Sequence, residues 1–151
     1  MAQISLSEFA DQINEYMPEI MRGAFRHGKN ELFKCKITMP QFLVLSFLYH
    51  QGESNMTALA KYMNVSTAAI TGIAERLVRD NYAVRTYEPD DRRIIKIKLT
   101  ARGNELLKRI NQQRRQVTMR VFGKLAPSDR QDYLKIMTKV KGILSNGYPP
   151  E

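Results

Sequence analysis

The stretch MTALAKYMNVSTAAITGIAERLVRDNYAVRTYEPDDRRIIKIKLT, residues 56–100, decides the fold of this chain. Leu59, Ala60, Met63, Val65, Ile70 and Ile73 fall where two short helices crossing at a steep angle need apolar contacts, the pattern of a helix-turn-helix. Ala60 is small at the expected point of closest approach, and Asn64 tolerates the left-handed backbone that such a turn requires. Ser66 is placed to cap the second helix, predicted to run to about Asp80. Tyr82 to Tyr87 and Ile94 to Leu99 then alternate as two strands do, joined by the polar tip Glu88-Pro-Asp-Asp-Arg-Arg93. A pair of helices at a reading angle followed at once by a basic hairpin points to nucleic acid.

Upstream, Thr38 and Gln41 have capping-box spacing before Phe42, Leu43, Val44, Phe47 and Leu48, which predicts a short, largely buried helix ending near Gly52. Ser5 and Glu8 form a second such box at the head of a helix with Leu6, Phe9, Ile13, Met17 and Ile20 on one face. Pro18 lies inside that helix and is expected to kink or divide it. Downstream, a long helix from Thr100 carries Leu106, Ile110, Val117 and Val121 on one side. Pro127 and Ser128 to Gln131 open a last helix with Leu134, Met137, Val140 and Leu144 expected to face inward. The predicted order is helix, helix, helix-turn-helix, hairpin, helix, helix.

A length of 151 residues and a hydrophobic content of 43% suit one compact unit. The amphipathic segments at both ends exceed what a single core of this size covers, so a partner chain is expected. The net charge of +9 favours a polyanionic partner. From Tyr82 to Arg120 eleven Lys or Arg face only Glu88, Asp90, Asp91 and Glu105, whereas Met56 to Asp80 is nearly neutral. Affinity should therefore lean on the hairpin and its flanks and specificity on the second helix of the pair. One cysteine excludes an internal disulfide, and no segment has the pattern of a signal peptide or membrane span, so a cytoplasmic protein is expected. Two histidines, one cysteine and no glycine-rich phosphate loop or Gly-x-Ser-x-Gly turn argue against an enzyme, and no cofactor is implied.

The run Asp91-Arg-Arg93-Ile-Ile-Lys-Ile97-Lys-Leu99-Thr100-Ala-Arg-Gly103 resembles the wing signature of the multiple-antibiotic-resistance regulator (MarR) family: Asp-x-Arg, three residues, an aliphatic, x, Leu-Thr, two residues, Gly. Ile37-Thr-Met-Pro-Gln-Phe-Leu-Val-Leu45 and Leu125-Ala-Pro-Ser-Asp-Arg-Gln131 support the resemblance, which covers nearly the whole chain; Pro18 departs from it. The resemblance implies a mainly α fold with a small β-hairpin wing: a winged helix-turn-helix at 37–100, with helix-turn-helix 56–80 and wing 82–99, flanked by dimerisation helices at 1–35 and 101–145. It further implies a homodimer that sets recognition helices in the major groove, and wings in the minor groove, of a pseudo-palindromic operator.

The start of the recognition helix, Ser66, Thr67, Ala68 and Thr71, is where such a helix meets base edges. The alternative reads Ser66 as a simple cap and Thr71 as a solvated residue. Arg76, farther along, either adds a base contact or grips phosphate. Arg92 and Arg93 at the hairpin tip suit a minor groove, with one expected to pair with Asp90 or Asp91 and hold the wing while the other, Arg92 by preference, reaches DNA. Lys96 and Arg85 are candidates for phosphate. The resemblance also implies a cleft for a small aromatic or phenolic effector, for which Met17, Met21, Phe25, His27, Phe47 and Tyr49 are candidate lining residues, although such side chains at helical spacing also suit a plain core. Cys35, between Lys34 and Lys36, is a candidate oxidant-sensing thiol or inert packing. No histidine or cysteine spacing suggests a metal site. A nonspecific architectural DNA-binding protein remains the alternative function.

Overall fold

The computed structural model describes residues 4–26, 37–91 and 93–145, with side chains in the first of these up to Gly23. The order is α1 (Leu6–Arg26), α2 (Met39–Gln51), β1 (Ser54–Asn55), α3 (Met56–Met63), α4 (Thr67–Arg79), β2 (Ala83–Tyr87), β3 (Ile95–Leu99), α5 (Ala101–Phe122) and α6 (Pro127–Ser145). The fold is therefore mainly helical with one small antiparallel sheet, in strand order β1-β3-β2. Two compact units divide the chain, Met1–Gln113 and Arg114–Glu151.

In the first unit the core is built from α2, α3, α4, the sheet and the start of α5. Val44, Leu45, Leu48, Leu59, Ile70, Leu77, Ile97, Leu106, Leu107 and Ile110 are all fully buried. Their spacing explains the elements: Ile70, Ala74 and Leu77 line one face of α4, and Gly103, Leu106, Leu107 and Ile110 one face of α5. Helix α2 is apolar on most sides and accordingly lies at the centre, opened by the Thr38–Gln41 capping box and closed at Gly52, whose φ of 81° suits a residue without Cβ.

The turn between α3 and α4 forms as the sequence requires. Asn64 takes φ 51° and ψ 48°, and the amides of Asn64 and Val65 donate back to Lys61 and Ala60 at 3.2 and 3.1 Å. Ser66 caps α4 by accepting from the Ala69 amide at 3.2 Å. Val65, expected to make an apolar contact, is instead 40% exposed, because that pair of closing bonds turns it away from the helix crossing.

Two further expectations need correction, and one element was not foreseen. Pro18 neither divides α1 nor ends it, since a single helix runs through it from Leu6 to Arg26, headed by the reciprocal Ser5–Glu8 bonds at 2.8–3.2 Å. Strand β1 has no signal in the sequence; it is only two residues long and exists by pairing Ser54 with Ile97 and Asn55 with Lys96. Finally, Leu134, Met137, Val140 and Leu144 do not face inward: α6 has no buried residue, and Leu134 is 65% exposed.

The second unit is held at its turn. The Arg130 guanidinium donates to the carbonyls of Phe122 and Leu125 at 3.3 and 3.1 Å, and the Phe122 and Tyr133 rings lie with centroids 5.0 Å apart. These contacts fix the reversal between the end of α5 and α6 while leaving the apolar side chains of α6 uncovered.

Candidate nucleic-acid interface

The interface begins where α4 begins. Ser66, Thr67 and Ala68 are all exposed at its first turn. The Ser66 side chain satisfies the amide of Ala69 and its carbonyl that of Ile70. The amides of Thr67 and Ala68 stay directed out of the helix end, where an anion is favoured. Thr71, one turn on, is half-buried and its hydroxyl donates to the Thr67 carbonyl at 2.8 Å. It therefore offers a base edge only a lone pair and a methyl group. Arg76 is exposed but stands at the other end of α4, on the rim of a cleft shared with α2 and α5.

At that end the chain makes a second left-handed turn that the sequence reading missed. Asn81 has φ 60°, and the amides of Asn81 and Tyr82 close back on Val78 and Leu77 at 3.0 and 2.9 Å. The Leu99-Thr100-x-x-Gly103 part of the wing signature grips this turn. Thr100 Oγ1 donates to the Asn81 carbonyl at 2.7 Å and accepts from the Gly103 amide at 3.0 Å, while the Thr100 amide donates to the Tyr82 carbonyl at 3.1 Å. A Cβ at position 103 would lie 2.0 Å from the Tyr82 carbonyl oxygen, so only glycine permits the approach. The signature is thus a clamp between the end of the recognition helix, the end of the wing and the start of α5.

The wing pairs Arg85 with Ile97, Thr86 with Lys96 and Tyr87 with Ile95. Its tip is folded on itself: the Glu88 amide donates to the Ile94 carbonyl, the Ile94 amide to the Asp91 carbonyl, and the Arg93 amide to Asp91 Oδ1 at 3.0 Å. Asp91 therefore shapes the tip through the Arg93 backbone, and the exposed Arg93 guanidinium makes no ion pair with another described residue. Arg92 lies outside the described residues.

Lys96 sits lower on the wing, where it pairs with Glu88. That hydrogen bond, with the charges of Glu88 and Glu53, raises the Lys96 pKa above its ordinary value against a smaller opposing effect of desolvation. Glu53, immediately before β1, also accepts a hydrogen bond from the Thr86 hydroxyl. Together Glu53, Thr86, Lys96 and Glu88 strap the wing to the segment leading into α3. Sequence reasoning missed Glu53 because nothing in its neighbourhood announces a partner 33 residues away. Arg85 reaches Glu75 of α4 at 3.4 Å, an exposed pair that adds little energy but links strand to recognition helix.

The candidate effector residues are not gathered in the same way. Met17 and Met21 are about half exposed on α1, the Phe47 ring packs against Tyr62 at 4.5 Å, and Tyr49 sets its edge against His50 at 5.4 Å. The Phe25 side chain, His27 and Cys35 lie outside the described residues. Of the described candidates, Met17, Met21, Phe47 and Tyr49, none lines the cleft at the far end of α4. Among the described residues no helix is long and apolar enough to cross a membrane.

A capped recognition helix, a two-stranded wing and a third strand pairing before the helix-turn-helix define a winged helix-turn-helix protein of the DNA-binding regulator class. Residues 37–95 match the family model described as MarR family. The chain is 30% identical over 109 residues to an uncharacterized HTH-type transcriptional regulator, YhbI of Bacillus subtilis, covering 72% of this chain and 68% of that one. It is 29% identical over 132 residues to the HTH-type transcriptional repressor NicR of Pseudomonas putida, covering 85% and 84%. Its fold superimposes on the crystal structure of RV1404 from Mycobacterium tuberculosis with a TM-score of 0.77 at 25% identity, over 94% of this chain and 96% of that one. The chain belongs to the MarR family of winged-helix regulators, which bind DNA and control transcription and are not enzymes.

Proposed function

We propose that this regulator is a homodimeric repressor that binds a pseudo-palindromic operator. The observation that carries the reading is the pairing of two kinds of exposed surface. The start of α4 and the wing tip present hydroxyls, open amides and the exposed Arg93 guanidinium, suited to grooves and phosphates. The apolar side chains of α1 and α6, among them Phe9, Ile20, Leu134 and Ile143, are uncovered in one chain, as a surface shared with a second copy would be. Two-fold pairing then sets two recognition helices about one helical turn apart, which imposes a palindromic site. Repression is proposed by analogy with the Pseudomonas putida relative, a transcriptional repressor.

Within this reading, Ser66, Thr67, Ala68 and Thr71 meet base edges and Arg76, Arg92 and Arg93 supply charge. Lys96 serves DNA through the shape of the wing, its ammonium being engaged by Glu88. Release by a small aromatic or phenolic effector completes the proposal, supported by the residue types at Met17, Met21, Phe47 and Tyr49. The test is fluorescence anisotropy on the duplex upstream of the protein's own gene, with excess nonspecific competitor, at two salt concentrations. Binding that survives competitor by about a thousandfold is expected. Binding that competitor abolishes, and that falls steeply with salt, overturns the operator at that site and favours a nonspecific winged-helix protein.

A further inference from the structure

At the end of α4 opposite its reading turn, the first turns of α2 and α5 and the Asn81–Tyr82 turn converge on a cleft of about 710 Å³. Its rim carries three guanidiniums, Arg76 and Arg79 from α4 and Arg102 from α5, against a single carboxylate, Asp80. Asp80 is engaged by Arg79, Nε to Oδ1 at 3.2 Å. Arg102 is laid over the buried Tyr82 ring, its guanidinium carbon 5.1 Å from the ring centroid, which holds the side chain in place. Neither Arg76 nor Arg102 has a carboxylate partner among the described residues.

We infer that this cleft binds a small multivalent oxyanion, a phosphorylated or polycarboxylate molecule carrying at least two negative charges. Three observations carry this. The rim holds two positive charges in excess. Guanidinium forks from two different helices match the planar, two-pronged geometry of phosphate and carboxylate groups. The volume falls in the range of small-molecule sites.

DNA is the less favoured occupant. Arg79 lies twelve residues beyond Thr67, about 18 Å along the helix axis at 1.5 Å per residue, at the end of α4 opposite the turn that meets base edges. An anion there would tie the back of the recognition helix to α2 and α5, and so stabilise the folded chain by simple linkage.

The anion titration itself needs no DNA, so its failure is separate from failure of the operator reading; duplex DNA is titrated in parallel as the rival occupant. The full-length protein is titrated calorimetrically with sodium pyrophosphate and with citrate at ionic strength held constant by sodium chloride. One saturable event per chain is expected for at least one probe, and which probe wins separates phosphate from carboxylate chemistry. Arg102→Gln and Arg79→Gln should each weaken that binding at least about tenfold, whereas Lys108→Gln, which removes the same charge from exposed α5 surface, should leave it unchanged. Arg76 is left intact because DNA also has a claim on it. The inference is overturned if neither probe saturates, or if Lys108→Gln weakens binding as much as Arg102→Gln. It is equally overturned if the arginine variants lose affinity only for DNA, which would make the cleft a phosphate clamp for the duplex.

Discussion

Between Ile37 and Ile110 the fold buries sixteen hydrophobic side chains, while α6 buries none and every side chain of α1 from Leu6 to Gly23 is exposed. Both regions are helical and rich in leucine, isoleucine and methionine, so composition does not separate them. What separates them is where the complementary surface comes from. The winged helix carries its own, with α4 packed on α2, α3 and β2, whereas the terminal helices present apolar faces that another surface must cover.

The largest expected effects test this contrast directly. Leu77→Ala should cost about 2–5 kcal/mol, the range for emptying a packed leucine site, as measured by urea unfolding. Leu134→Ala should cost little in dilute protein but raise the concentration below which the proposed dimer dissociates, since stability gained by association depends on concentration. Leu134→Glu should yield monomers by light scattering and abolish operator binding. A Leu134→Glu protein that stays dimeric would show that α6 is not the shared face.

Two helical glycines sharpen the same contrast on a smaller scale. Gly103 abuts the Tyr82 carbonyl where a Cβ would stand at 2.0 Å, whereas Gly72 on α4 has nothing within 4 Å. Gly103→Ala should therefore destabilise by about 1–3 kcal/mol, the usual penalty for overpacking. Gly72→Ala should stabilise by roughly 0.5–1 kcal/mol through the lower entropy of the unfolded chain. Equal melting temperatures for the two variants would remove the clamp from the account of the wing.

Recognition helix and wing should divide labour in the next tier. Arg93→Ala and Arg92→Ala should each weaken binding to every duplex and reduce the salt slope by about one, the larger loss marking the arginine that reaches the minor groove. Thr71→Ala should relax base preference with little change in salt dependence. Its hydroxyl proton is already committed to Thr67, so the effect should be modest. An unchanged salt slope in both arginine variants would sink the assignment of the wing.

The elements most legible in the sequence are those that local chemistry determines. Asn64 and Ser66 announce the turn and cap of the recognition helix, Thr38 and Gln41 the start of α2, and alternation the two wing strands. The elements missed depend on distant partners: β1 exists only against β3, Glu53 acts only through Thr86 and Lys96, and the Asn81 turn is held by Thr100. Pro18 shows a different limit, because a rule about helix interiors predicted a break where α1 stays continuous. The inward face expected for α6 failed because periodicity identifies an apolar face without saying which chain covers it. The arginine cleft was invisible for the same reason as Glu53: Arg76, Arg79 and Arg102 become neighbours only when α5 is clamped to the end of α4.

The smallest effects are opposite in sign at the two regions. Glu8 at the head of α1 is held below the ordinary carboxylate range by the Ser5 backbone and side-chain hydrogen bonds, so its contribution is present above the unfolded glutamate value of about 4.3 and is lost as pH falls through the folded value. Lys96 in the wing is raised by Glu88 and Glu53, so its contribution is present below the unfolded lysine value of about 10.4 and is lost as pH rises through the folded value. Acid should therefore loosen the start of α1 first and alkali the base of the wing. Carbon-detected NMR titration reads both: the Glu8 carboxyl should titrate at lower pH in the native protein than in Ser5→Ala, by the part of the shift that the Ser5 hydroxyl supplies, and the Lys96 Cε at higher pH in the native protein than in Glu88→Gln. If Glu53→Gln lowers the Lys96 midpoint while Glu88→Gln leaves it in place, the strap runs through the segment before β1 rather than along the hairpin.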